Sequence, residues 1–153
     1  MFALCMRYSN TIQDAEDIAI QSFTRVFNKI EECRGENLEA WMKQIFIREA
    51  INHYHKNKNQ TWTHSSEVDE NQNDHGPLVY EALSLEELKH CIAQLPEGCR
   101  LVFNLFAIEG FQHKEIGDML GVSESTSKSQ YIRAKSLLQK TISQLSPWKK
   151  EVI

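Results

Sequence analysis

Apolar residues recur at three- and four-residue steps in two long stretches near the start of the chain. In residues 11–30, Ile12, Ala15, Ala19, Phe23, Val26 and Ile30 line one face, which predicts an amphipathic helix. Asn10 or Thr11 stands where a cap belongs, and Asp14, Glu16 and Asp17 fall in the first turn, where the helix dipole favours carboxylates. After a break at Gly35, residues 37–56 predict a second helix with Leu38, Trp41, Met42, Ile45 and Phe46 as its stripe. Trp41 reads as a core anchor rather than a platform for stacking a base. The far end of this helix turns polar and basic, with Arg48, Asn52, His53, His55 and Lys56.

The pattern then lapses. Residues 59–77 are rich in Asn, Gln, Ser, His and acids, with almost no aliphatics, a composition that predicts a flexible linker. Periodicity returns beyond 78. Leu85, Leu88, Cys91, Ile92 and Leu95 predict a short helix ended by Pro96. Residues 100–108 predict another, stopped by Gly110, followed by 112–120, a turn at Gly121-Val122-Ser123, and a last helix over 124–145 ended by Pro147. No strand pattern appears. The fold class predicted is all-α, with two small helical modules at 1–58 and 78–147 joined by the linker at 59–77. Cores this small are marginal alone and lean on a partner.

Composition narrows the function. The chain has 153 residues, 41% hydrophobic and 25% charged, which fits globular modules rather than wholesale disorder. Its apolar stretches fall far short of the ~20 residues a spanning helix needs, and its start lacks the basic-then-apolar layout of a secretory signal. Cys5, Cys33, Cys91 and Cys99 are scattered without a C-x-x-C pair, which points to a reducing cytoplasm and away from a disulfide framework or thiolate metal site. His53 and His55 do not share a helical face and have no third ligand nearby, so no metal is expected. No phosphate-cradling glycine loop or nucleophile–base pair appears. The chain therefore reads as a non-enzyme without cofactor or small-molecule substrate.

The net charge of −4 hides an uneven distribution. Between 122 and 150 the cations Lys128, Arg133, Lys135, Lys140, Lys149 and Lys150 face Glu124 alone, whereas eight carboxylates between 61 and 99 face only Lys89. A basic end behind an acidic middle suits one surface for DNA and others for protein.

The sharpest motif lies at that basic end. Phe111 to Thr126 has the layout of a helix-turn-helix: Ile116, Met119 and Leu120 face inward, and Gly117 is small where two helices would cross. Gly121 permits a left-handed turn, and Ser123 can cap the next helix. On that helix Ser127, Tyr131, Ala134 and Leu138 should face the core. Ser125, Lys128, Ser129, Ile132 and Arg133 should point outward. Short hydroxyls, one apolar contact and two cations suit a helix entering the major groove. The competing explanation, an ordinary helical hairpin with a solvated basic face, is weakened by the helices around it.

These residues carry a resemblance. Leu95-Pro96-Glu97, Glu109-Gly110-Phe111, Glu115-Ile116-Gly117, Leu120-Gly121-Val122-Ser123 and the run from Thr126 to Lys135 closely resemble region 4 of extracytoplasmic-function (ECF) sigma factors. Asp14-Ala15-Glu16-Asp17-Ile18, Phe23, Val26-Phe27, Trp41 and Ile45 resemble their region 2, here shortened at its N-terminus. The resemblance implies a transcription initiation factor whose partners are core RNA polymerase, promoter DNA and an anti-sigma factor. It implies polymerase docking through Asp14, Glu16, Asp17 and Gln21, and −10 contacts through Arg48, Asn52, His53, His55 and Lys56. It implies −35 reading through Ser125, Thr126, Lys128, Ser129, Ile132 and Arg133. Two other classes compete: a stand-alone regulator binding duplex DNA as a dimer, and a protein-interaction module with a degenerate DNA face. The linker, the acidic motif and the lack of a heptad seam favour the sigma-type reading.

Overall fold

The chain opens with a helix too short for its apolar spacing to announce. Helix α1, Phe2–Tyr8, buries Leu4, Cys5 and Tyr8, where the sequence pattern places no element. The structure, a computed structural model, describes residues 1–33, 35, 37–60 and 84–145. Helix α2 spans Ile12–Asn28, and Thr11 rather than Asn10 caps it, its Oγ1 accepting from the Asp14 backbone N–H at 3.0 Å. The buried face runs through Ala15, Ile18, Ala19, Ser22 and Val26. The predicted stripe is therefore rotated: Ile12 and Ile30 are exposed, and Ile18 with Ser22 takes the centre. Ser22 is tolerated there because its hydroxyl donates to the Ile18 carbonyl at 2.7 Å.

A short 3-10 turn, Ile30–Glu32, precedes α3, Leu38–Gln60. Its fully packed residues are Phe46, Ile47, Ala50 and Ile51, so the stripe predicted from Leu38 onward lies one to two turns too early. Leu38 is exposed, and Trp41, Met42 and Ile45 pack only partly against the core. The reason is tertiary. The later half of α3 meets the second half of the chain, and burial follows that contact.

Helix α4, Leu85–Ala93, begins with a capping box between Ser84 and Glu87; the Ser84 hydroxyl and backbone N–H hold the exposed Glu87 carboxyl below its usual range. Pro96 ends one helix and starts the next, α5 at Glu97–Phe103, which continues as a π-helical segment over Asn104–Ile108. Helices α6, His113–Leu120, and α7, Glu124–Leu145, complete the described chain. Among the described residues there is no strand. The linker predicted at 59–77 and the stop at Pro147 lie outside them, apart from residues 59 and 60 at the end of α3.

Two modules were predicted, and they meet. One core cluster joins Leu4, Ile18, Phe46 and Ile51 of the first to Leu101, Leu105, Ile116 and Leu120 of the second. A smaller cluster of Cys91, Leu95, Cys99, Ala134, Leu138 and Ile142 closes α4, α5 and α7 on one another. All four cysteines are free. No described helix is long and apolar enough to cross a membrane.

Candidate nucleic-acid interface

The helix-turn-helix is built by local chemistry. The Glu115 carboxylate accepts from the Gln112 backbone N–H at 2.7 Å, fixing the start of α6. Gly121 caps its end at φ +66°, and the Val122 N–H returns to the Gly117 carbonyl at 3.0 Å. The Ser123 hydroxyl accepts from the Thr126 backbone N–H at 3.0 Å, starting α7. Gly117 is small by necessity, since a β-carbon there would meet the Val122 carbonyl oxygen at 2.8 Å.

Ser125, Lys128, Ile132 and Arg133 stand exposed on α7, as predicted. Thr126 and Ser129 do so only in part. The Thr126 hydroxyl shares a hydrogen bond with Ser123 at 2.8 Å, and Ser129 donates to the Thr126 carbonyl at 3.0 Å. Lys128 is also committed, its Nζ lying 2.6 Å from the Glu124 carboxylate one turn earlier. Arg133 is left as the exposed cation of this face that forms no ion pair among the described residues.

Behind the reading face lies an aromatic cluster that sequence reasoning missed. His113 stacks on Phe106 at 4.2 Å between ring centroids, and Tyr131 closes on Phe106 at 4.6 Å and on Phe103 at 6.1 Å. The His113 Nδ1 and the buried Ser127 hydroxyl share a hydrogen bond at 3.0 Å, tying the supporting helix to the reading helix. Only the inward position of Tyr131 was legible, because its partners come from three other segments. Burial, followed by the nearby Lys128, holds the imidazole below its ordinary value of 6.5. A depressed histidine contributes stability above 6.5 that is lost as pH falls through the lower folded-state value. Thermal melting between pH 8 and 5 should thus drop more steeply for the unsubstituted chain than for His113→Gln; parallel curves would refute this role.

In the first module, Glu16, Asp17 and Gln21 stand exposed on α2. Asp14 does not join them freely. It accepts from Thr11 at 2.7 Å and faces His53 Nε2 at 3.4 Å. Ile20, one turn beyond Glu16, and Phe27, further along the same helix, are 65% and 73% exposed. On α3, Arg48, Asn52 and Lys56 are exposed. His53 is turned to Asp14, and His55 Nε2 meets the Met119 carbonyl at 3.0 Å. A buried carboxylate organises this side: Glu49 takes Arg25 Nε at 2.7 Å and the Asn52 amide at 3.3 Å. Of the five residues predicted to touch the −10 strand, three are therefore exposed, Asn52 while holding Glu49, and two are turned to partners inside the chain. No group of three or more His, Cys, Asp and Glu placed to hold a metal occurs among the described residues.

An all-α chain with a helix-turn-helix, a basic reading helix and a separate acidic helix face defines a DNA-directed transcription protein. The family model for Sigma-70 region 2 matches residues 1–60, and that for Sigma-70, region 4, matches residues 85–138. The chain belongs to the sigma-70 family of RNA polymerase sigma factors, in its ECF subfamily. It is 23% identical to the RNA polymerase sigma-H factor of Pseudomonas aeruginosa, over 95% of this chain and 81% of that protein. It is 26% identical to the ECF RNA polymerase sigma factor SigW of Bacillus subtilis, over 95% and 84%. The fold is similar to that of the sigma factor RpoE, solved in complex with the anti-sigma factor NepR from Bartonella quintana. That match has a TM-score of 0.57 and 22% identity, over 93% of this chain and 89% of the other.

Proposed function

We propose that this chain directs promoter-specific transcription initiation as an ECF sigma factor, acting with core RNA polymerase in the bacterial cytoplasm and performing no chemistry of its own. The reading assigns docking to a module at 1–58, −35 recognition to a module at 78–147, and the connection to a linker at 59–77. The observation that carries it is the capped turn from Gly117 to Ser123, which presents the exposed face of α7. Arg133 and Lys128 supply phosphate attraction there, while Ser125 and Ile132 reach base edges.

Docking falls to Glu16, Asp17 and Gln21, with the exposed Ile20 one turn beyond Glu16 adding apolar contact. Charged hydrogen bonds to arginines on the polymerase would give that contact its strength. On α3, Arg48, Asn52 and Lys56 suit a strand whose bases are being unstacked. An anti-sigma factor is the natural regulator, as the RpoE–NepR complex shows for that relative.

Purified chain, core polymerase and a promoter library test the reading. Promoter-specific transcripts should require both proteins; tight duplex binding without polymerase association would instead mark a stand-alone regulator. Arg133→Ala should weaken −35 duplex binding evenly across sequences and lower the salt slope by about one, with polymerase affinity intact. Asp17→Ala should reverse that pattern. Normal polymerase binding by both variants would sink the docking assignment.

A further inference from the structure

The first two turns of α7 carry most of the groups assigned above to the promoter, yet little apolar surface holds them down. Between Glu124 and Tyr131 one residue is fully buried, and it is a serine: Ser127 is excluded from solvent altogether. The aliphatic anchors of the helix, Ala134, Leu138 and Ile142, lie further along and close on α4 and α5.

The reading end is held by a ring instead. His113, the first residue of α6, shares a hydrogen bond through Nδ1 with the Ser127 hydroxyl at 3.0 Å. That ring has little freedom of its own. It lies flat on Phe106, with centroids 4.2 Å apart and planes 8° from parallel. Phe106 is carried by the π-helical segment, whose widened turn is closed by the Glu109 N–H on the Asn104 carbonyl at 3.0 Å. Turns of that kind gather at functional sites. Tyr131, one turn beyond Ser127, rests on Phe106 as well, at 4.6 Å. Two rings in contact can slide over one another, whereas a hydrogen bond weakens steeply once its angle is lost. The bond to Ser127 is thus the directional contact between α6 and the start of α7.

We propose that His113 is a positioning residue for −35 recognition: oriented by Phe106 and bonded to Ser127, it fixes the rotation of α7 about its own axis. The idea rests on the assignment of α7 to the −35 duplex. Rotation does not matter equally to the exposed groups. Ser125 is short and Ile132 is stiff, so a small roll carries them off the base edges. Lys128 and Arg133 are long enough to follow the phosphates. Phosphate contacts attract without reading sequence, and base contacts discriminate. His113 therefore governs the choice between sequences rather than the attraction to DNA.

The test uses core polymerase reconstituted with the full chain, either unsubstituted or carrying His113→Phe, Ser127→Ala or both. Each complex is titrated with promoter DNA bearing either the −35 sequence selected in the transcription assay or a scrambled one. His113→Phe keeps a ring to stack on Phe106. Ser127→Ala removes only a hydroxyl and suits a helix, so it tests the bond even if the other variant misfolds. Each single variant should lose roughly two- to tenfold in the ratio of the two affinities, the factor that the net worth of one hydrogen bond corresponds to. The double variant should lose no more than either single, because both remove the same bond. Affinity for scrambled DNA, its salt slope and polymerase binding should stay unchanged, which a general loosening of the module would not allow. An unchanged ratio in Ser127→Ala overturns the proposal, as do additive losses or equal losses on both DNAs. A complex that prefers no −35 sequence even when unsubstituted overturns the −35 reading itself, and the proposal with it.

Discussion

Phe46→Ala is expected to cost about 3–5 kcal/mol, the usual range for deleting a fully buried ring. Phe46 is completely excluded from solvent and sits on α3 where α2 crosses it. Its ring meets Phe23 edge-on at 5.0 Å and 87°, a geometry worth ~0.5–1.5 kcal/mol beyond simple burial. Domains of this kind are stable by only ~5–15 kcal/mol, so the variant should lose a large part of its total. Urea denaturation followed by circular dichroism measures the loss. Phe46→Leu, which keeps much of the volume, should retain most of the stability. A loss below about 1.5 kcal/mol for alanine would mean that the ring does not anchor the α2–α3 seam.

Gly117→Ala should be the most damaging single methyl group in the reading module. The added carbon would come within 2.8 Å of the Val122 carbonyl oxygen and 3.4 Å of the Glu124 nitrogen. Both are backbone atoms. Val122 is moreover bonded back to Gly117 through its own N–H at 3.0 Å, so the turn cannot retreat without breaking the contact that forms it. Overpacking of this kind costs ~1–3 kcal/mol. The loss of duplex binding should exceed that of stability, because the strained turn sets the direction of α7. Gly98→Ala provides the comparison: its β-carbon meets only the flexible Gln130 side chain, at 3.8 Å, and lies in helix α5, where alanine is favoured by up to ~1 kcal/mol. If both variants bind a −35 duplex like the unsubstituted chain, the turn does not control the reading helix.

What could be read from the sequence divides by the range of the interaction. The helix-turn-helix was legible nearly residue by residue, since Gly121, Ser123 and Gly117 act on neighbours within a few positions. Likewise a cap at Asn10 or Thr11 and most of the outward set on α7 follow from local spacing, although only the structure picks Thr11. Helix α1 escaped notice because seven residues do not display a repeat. The stripe on α2 was rotated and that on α3 set one to two turns early, since periodicity finds an apolar face without saying which part of it meets a partner. The exposure of Ile20 and Phe27 could not be read in advance, because an exposed apolar residue looks like noise until the surface is seen. Asp14 and His53 were assigned to separate roles, yet the fold sets them side by side. Nothing local could have paired Glu109 with Arg7, 102 residues away.

A core that runs unbroken from Leu4 and Phe46 to Leu105 and Ile116 also governs how the molecule comes apart. In the free chain, heat should dismantle both halves together, as one cooperative unit with a single calorimetric peak. Each half has only about sixty residues, a size at which a core is marginal by itself, so each draws on the other for its stability. A substitution that loosens one half should therefore lower the melting temperature of both.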